Sequence, residues 1–272
     1  HKGGRAAGGR AVGFLGEYDA LRGQGHGCAH HMQTPAMIGA AMALRGVLES
    51  SDQPFEIHVI GTPSEESLDG GKNEMAANGG FDHIDVAFMV HGSTLTQLET
   101  PSLALIEMDV EFHGKTAHAG IAPYAGRSAV DAVTMLQTGL GLMRNHLKDS
   151  SRVSNIVLAG GTAVNSVPDF AKVKVEIRHS SMAYLESVEQ WTREIAQAAA
   201  MATQTQVQIT PVAHIYNTTI NDAMGALLME CAEKFACDRI APPRKDCGST
   251  DFGAVTHRLP SCCLRVKTIE TD

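Results

Sequence analysis

The sequence has 272 residues, 43% of them apolar, and its 22 basic and 30 acidic side chains leave a net charge of −8. These values fit a globular protein of one large or two ordinary domains with a proper core, and they argue against nucleic acid as a partner. No apolar run reaches the ~18 residues of a membrane span. Six cysteines, at 28, 231, 237, 247, 262 and 263, are scattered without a visible signal peptide, which points to reduced thiols in a cytoplasmic protein. Residue 1 is His1 rather than Met, HKGGRAAGGR (1–10) reads as a loop, and CCLRVKTIETD stops without a closing helix, so the chain reads as a fragment.

Residues 11–16 (AVGFLG) form an apolar run that predicts a buried strand. A Gly/His/Cys-rich loop follows over 23–31. Thr34-Pro35 then supplies an N-cap and a first-turn proline for a helix running to about Glu49. Residues 55–61 predict the next strand, 64–78 a loop and helix, and 85–90 a third buried strand ending at His91. Alternating strands and helices predict an α/β domain with a mostly parallel sheet flanked by helices.

The pattern changes near residue 107. Residues 107–113 alternate, 127–148 carry a helical stripe, 153–159 and 171–178 predict strands, 183–203 a second helix and 206–213 a last strand. Strand–helix–strand–strand–helix–strand is the ferredoxin-like order. A helix over 221–235 and a GSTDFG loop (248–253) then return to the first domain. The expected division is therefore 1–106 with 215–272 as one domain, interrupted by an inserted α+β domain over 107–214.

Three groups fall at the carboxyl ends of three predicted strands: Glu17 to Asp19 with the Cys28/His30 loop, Glu65-Glu66, and His91. Ligands of open α/β sheets bind at that edge, so the groups converge. A thiol and an imidazole two residues apart suit a borderline metal such as zinc. Adjacent carboxylates repel unless a cation is near, and one can bind metal while its neighbour takes a proton from water. His26, His31, His58 and His83 are weaker candidates, and His58 reads as structural. In the inserted domain, His118 lies in a Gly-flanked loop, Asn165 in GGTAVNSVPD, and Arg178, a natural carboxylate clamp, ends a strand.

HGCAH resembles the HACGH motif of the metallo-exopeptidase family that includes aminoacylases. More narrowly, it resembles the branch of N-acyl-amino-acid amidohydrolases and dipeptidases that uses a cysteine ligand. GEYDAL, GTPSEE, MVHGS, GKTAHA, VNSVPD, IRHS and GSTDFG follow in that family's order, over about residues 11 to 260. The resemblance implies two divalent metals, zinc first with manganese as the alternative, held by Cys28, His30, Glu66 and His91. It makes Glu65 the general base and later acid, and Asp19 the carboxylate that orients a ligand. His118 becomes the oxyanion donor of a lid domain that forms a homodimer, and Asn165 and Arg178 become substrate-binding groups. The expected reaction is hydrolysis of the amide bond of a small N-acyl amino acid or dipeptide by water activated between metals ~3.5–4 Å apart.

Four departures stand out. Arg22 replaces the family's proline, Ala29 its glycine, and His31 its Asp or Asn. The family's last metal-binding histidine lies beyond GSTDFG, His257 is too close to fill that place, and Asp272 ends the chain first, which leaves the site one ligand short as read. A non-catalytic metal-binding or dimerising homologue is therefore a rival reading, and a hydrolase using Cys28 as nucleophile is another.

Overall fold

The computed structural model describes residues 2–3, 8–51, 53–67, 70–235, 237–244 and 248–270; Cys247 lies outside them. The chain divides into two compact units, one made of His1–Leu103 with Ile215–Asp272 and the other of Ala104–His214.

In chain order the first unit opens with β1 (Lys2–Gly3), β2 (Arg10–Glu17), α1 (His30–Leu48), β3 (Phe55–Thr62), α2 (Gly71–Ala77), β4 (Val86–Ser93) and β5 (Gln97–Leu98). The second unit contains β6 (Ala104–His113), α3 (Ala129–Met143), β7 (Arg152–Gly160), β8 (Phe170–His179), α4 (Met182–Thr203) and β9 (Gln206–Ile215). Then α5 (Asp222–Lys234), α6 (Gly253–Thr256) and β10 (Ser261–Lys267) return to the first.

The first sheet has the order β1-β3-β2-β4-β10-β5. Its four central strands are parallel, and the short β1 and β5 run antiparallel at the edges. Central strands of a parallel sheet are covered on both faces, hence the unbroken apolar run of β2. Successive side chains alternate between faces. Phe14 accordingly packs with Met37 and Ala41 of α1 and with Phe55 and Ile57. Its neighbour Leu15 packs on the other face with Phe81, Ala87, Met89, Phe252 and Val255.

The second unit is a four-stranded sheet in the order β7-β8-β6-β9. Its helices are capped by Ser128, which accepts from the Asp131 amide, and Ser181, which accepts from the Tyr184 amide. Along β8, Val173, Val175 and Ile177 are fully buried. The alternating lysines face acids of β6 across the ladder, Lys172 to Asp109 at 2.7 Å and Lys174 to Glu107 at 2.7 Å. The α/β class and the ferredoxin-like element order expected from the sequence are both present.

Several elements differ from expectation. Helix α1 starts at His30, four residues before Thr34, and contains Pro35. Thr34 does not cap it; its hydroxyl donates to the Glu17 carbonyl at 2.9 Å. The helix is thus tied to the end of β2 by a residue that local sequence assigns to a cap. The helix expected within 64–78 is confined to Gly71–Ala77, and β4 runs through His91 to Ser93. The terminal segments are not plain loop: Lys2–Gly3 pairs with β3, and β10 lies parallel to β4. Leu15 is fully buried. Leu15→Ala should lower unfolding free energy by ~2–5 kcal/mol in urea denaturation, and a loss under 1 kcal/mol would contradict this packing.

Candidate metal centre

The parallel strands deliver their carboxyl ends to one edge. Strand β2 ends on Glu17, which is buried, and Asp19 follows. Strand β3 ends at Thr62 and a turn carries Glu65 and Glu66; β4 carries His91. Helix α1 begins with His30, and Cys28 lies just before it.

Asp19 organises the group. Its Oδ1 lies 3.1 Å from His30 Nδ1, and its Oδ2 accepts the Glu66 backbone amide at 2.9 Å. An Nδ1–H donated to a carboxylate leaves Nε2 of a neutral imidazole as an acceptor. That Nε2 lies 3.2 Å from Glu17 Oε2 and 3.8 Å from Glu66 Oε1. Both His30 Nε2 and Glu66 Oε1 are buried without a hydrogen-bond partner. Buried lone pairs facing one another without a proton between them are unfavourable unless a cation joins them.

His91 has a similar setting. Its Nδ1 lies 2.7 Å from the Gly92 carbonyl, a pure acceptor, and 3.3 Å from Arg265 Nη1, a pure donor; in the tautomer that satisfies the shorter contact Nδ1 donates to Gly92 and Nε2 keeps its lone pair. Burial and the Arg265 guanidinium hold His91 below the usual histidine range, in the neutral form a metal requires. The His30 and His91 rings stand perpendicular with centroids 5.5 Å apart. Among the described residues, three overlapping sets have ligand atoms within 4.8 Å of one another: Glu17–His30–His91, His30–Glu65–Glu66 and Glu17–Glu65–Asp251. The donor set therefore fits divalent metal.

Burial, then the Glu17 charge, pushes Glu65 up to about 7, while Thr250 hydrogen-bonds its carboxyl. Burial, a hydrogen bond to Glu66 and the surrounding carboxylates push the Cys28 thiol up to about 12. A nucleophile needs a thiolate, so this setting opposes the cysteine-nucleophile reading, whereas a coordinating cation would favour the thiolate.

Backbone geometry between Cys28 and His30 explains one departure from the motif. Ala29 has φ +62°, a conformation in which glycine is unstrained and other residues cost ~1–2 kcal/mol. Its methyl is accommodated by Gly92, where a Cβ would lie 2.6 Å from that of Ala29.

The sequence singled out neither Gln33, Lys72 nor Arg265 and gave Asp251 no role. Gln33 Nε2 donates to Glu17 Oε2 at 2.8 Å. Lys72 Nζ lies 2.6 Å from Glu17 Oε1 and 2.6 Å from Asp251 Oδ1, with all three side chains buried. Burial pulls the Lys72 ammonium down, but the two carboxylates outweigh it and hold the group charged. Burial pushes Glu17 up, and Lys72, together with His30 and His91, more than reverses that. The GGK triplet was the available signal, since Gly70 is at φ +59° and a Cβ on Gly71 would lie 1.9 Å from the Pro63 carbonyl oxygen.

The weaker histidines lie in other settings. His58 contacts Glu56 at 3.3 Å and stacks edge-on with His83, and His26 meets His31 ring to ring. His257 lies 2.8 Å from the Asn217 carbonyl. Within the second unit, His118 and Asn165 are brought together, because the Ala119 amide donates to the Asn165 carbonyl at 2.9 Å. His118 Nδ1 accepts from the Gly120 amide at 3.2 Å, which leaves Nε2–H as an exposed donor. Arg178 Nε and Nη2 clamp the Glu176 carboxylate at 2.7 and 2.9 Å.

A mostly parallel sheet whose carboxyl edge gathers imidazoles, a thiol and carboxylates around partnerless lone pairs, in a unit interrupted in sequence by a βαββαβ segment, defines a metal-site α/β protein. The chain belongs to the Peptidase family M20/M25/M40, which it matches over residues 13–269. It is 35% identical over 263 residues to the Xaa-Arg dipeptidase of Mus musculus, covering 94% of this chain and 61% of the relative. It is 32% identical over 236 residues to a p-aminobenzoyl-glutamate hydrolase polypeptide of Escherichia coli, covering 78% of this chain and 49% of the relative. The chain thus spans about half to three fifths of the length of these relatives. Its fold is similar to that of an aminobenzoyl-glutamate utilization protein from Klebsiella pneumoniae, with TM-score 0.75, 24% identity, and 96% of this chain and 67% of that one covered. It is also similar to a dinuclear metal-binding peptidase of family M20 from Bacillus subtilis, with TM-score 0.74, 18% identity, and 100% and 76% covered.

Because Asp19 orients both His30 and the Glu66 backbone, Asp19→Ala should weaken metal binding ~10–100-fold. Competition with a chromogenic chelator measures this, and unchanged affinity would remove Asp19 from its orienting role.

Proposed function

We propose that the protein hydrolyses the amide bond of a dipeptide or N-acyl amino acid, with Cys28, His30, Glu66 and His91 as metal ligands and Glu65 as general base. The observation that carries this reading is the pair of buried, partnerless acceptors, His30 Nε2 and Glu66 Oε1, 3.8 Å apart beside Glu65. Bound divalent metal supplies a Lewis acid that polarises the scissile carbonyl and acidifies water.

The protein's own groups do the rest. Glu65 takes a proton from water and returns it to the leaving amine, and its raised pKa near 7 suits both roles. Asp19 keeps the His30 Nε2 lone pair aimed at the site. His118 Nε2–H serves as oxyanion donor, a contribution typically worth ~100–1,000-fold. Asn165 and Arg178 hold the substrate carboxylate, Arg178 by exchanging its Glu176 partner. The names Xaa-Arg dipeptidase and p-aminobenzoyl-glutamate hydrolase both describe amides of an α-amino acid, which supports a substrate of that class. Thiolate and imidazole ligands favour zinc, with manganese as the alternative.

The same reading includes a homodimer through the second unit and a cytoplasmic location. Edge strand β7 exposes Ile156, Val157 and Leu158 at 59, 45 and 50%, a row suited to pairing. The location is proposed from the scattered cysteines of the sequence, which suit a reducing compartment. Among the described residues no helix is long and apolar enough to cross a membrane.

Glu65→Gln should retain metal and lower kcat by ~100–10,000-fold on dipeptides and N-acyl amino acids. Metal content together with turnover decides it: near-normal turnover in the variant removes Glu65 as base, and wild-type metal binding without hydrolysis favours the non-catalytic reading. Glu65 works ionised, so wild-type kcat/KM should fall as pH drops through about 7. A pH profile flat from 5 to 8 would exclude that assignment. Ile156→Lys should shift the sedimentation profile from dimer to monomer, and an unchanged profile would place the interface elsewhere.

A further inference from the structure

Beneath the proposed ligands lies a second set of donors made only of carboxylates. Glu17, Glu65 and Asp251 offer oxygens within 4.8 Å of one another, and Glu17 and Asp251 are buried. Three such groups would ordinarily make an oxygen-only site of the kind preferred by hard divalent ions. Two of them are already bridged: the Lys72 ammonium lies 2.6 Å from Glu17 Oε1 and 2.6 Å from Asp251 Oδ1. Asp251 is held twice, because its Oδ2 also accepts the Lys72 backbone amide at 2.9 Å. Lys72 itself has no exposed surface.

We propose that the Lys72 ammonium is a resident cation that fills the Glu17/Glu65/Asp251 set and keeps divalent metal out of it, so that metal is confined to the imidazole and thiol side of the centre. The inference rests on the metal-site reading above and goes beyond it by assigning Lys72 a positioning and metal-selecting role. An ion shared by Glu17 Oε1 and Asp251 Oδ1 would sit ~2.0–2.2 Å from each, in the space the ammonium occupies. Two cations cannot share that space, and the ammonium cannot be washed out. With Oε1 held by Lys72, Glu17 presents Oε2 to Gln33 and His30, at 2.8 and 3.2 Å. Lys72 therefore also decides which Glu17 oxygen faces the proposed ligands. The oxygen-only set is the one that would prefer manganese, magnesium or calcium, whereas the remaining donors include sulfur and nitrogen.

The test is Lys72→Met, which removes the charge and keeps most of the volume. Wild type, K72M and the double variant K72M/D251N are stripped with chelator, equilibrated with Mn2+, freed of excess ion and assayed for metal per chain. The expected result is one more bound Mn2+ per chain in K72M than in wild type, and loss of that increment in the double variant. Equal manganese in wild type and K72M overturns the proposal. If K72M is unstable, its melting temperature should rise with Mn2+ concentration more than that of wild type, since the metal replaces the missing cation. A K72M protein that Mn2+ does not stabilise overturns the proposal as well. A wild-type chain that binds neither zinc nor manganese refutes the metal-site reading instead, independently of the K72M increment.

Discussion

Burying negative charge is the constraint on which the carboxyl edge of the first sheet depends. Glu17, Asp19, Glu65, Glu66 and Asp251 meet around the carboxyl ends of β2, β3 and β4, and Glu17 and Asp251 have almost no exposed surface. A carboxylate moved from water into a protein interior is strongly disfavoured unless it is paired and hydrogen-bonded. The local solutions differ from group to group. Glu17 and Asp251 share Lys72, Asp19 is satisfied by an imidazole and a backbone amide, and Glu65 moves toward its neutral form. Glu66 Oε1 is left without a partner. The unsatisfied remainder of this charge balance is what makes the edge a candidate metal centre.

The same balance explains why the edge is built from distant parts of the chain. Strands β2, β3 and β4 and the turns that follow them supply four of the acids and His91, but the fifth acid and the cations come from elsewhere. Lys72 comes from α2, Asp251 from just before α6, and Arg265, beside His91, from β10. Asp251 and Lys72 are 179 residues apart in sequence and joined by two hydrogen bonds. The interrupted unit needs its late segment for this charge pairing as well as for an extra strand.

Much of this was legible in the sequence. Apolar runs marked β2 and β4 because buried parallel strands lack polar alternation, and β8 was legible for the opposite reason, because Val173, Val175 and Ile177 alternate with charges. The candidate ligands were legible because strand ends were. What escaped was set by tertiary contacts. Thr34-Pro35 carries the local signature of a helix start, yet α1 begins at His30 because Gln33 and Thr34 bond to Glu17. Lys72 reads as a surface lysine at a helix start until Glu17 and Asp251 are seen on either side of it. Strand β10 was hidden in SCCLRVK, too short and too polar at its end to stand out without β4 beside it.

The split of the first unit has a consequence for the order in which the protein is made. Residues 104–214 form an uninterrupted segment that can close its own sheet as soon as it leaves the ribosome. Residues up to 103 must wait for Asp251 and β10 before Lys72 has both its partners and β4 has its outer neighbour. During synthesis the nascent chain therefore carries a finished inner unit between two parts of an unfinished one. In that interval Lys72 and the flank of β4 are exposed to chaperones and proteases, and they are withdrawn only when Asp251 and β10 dock.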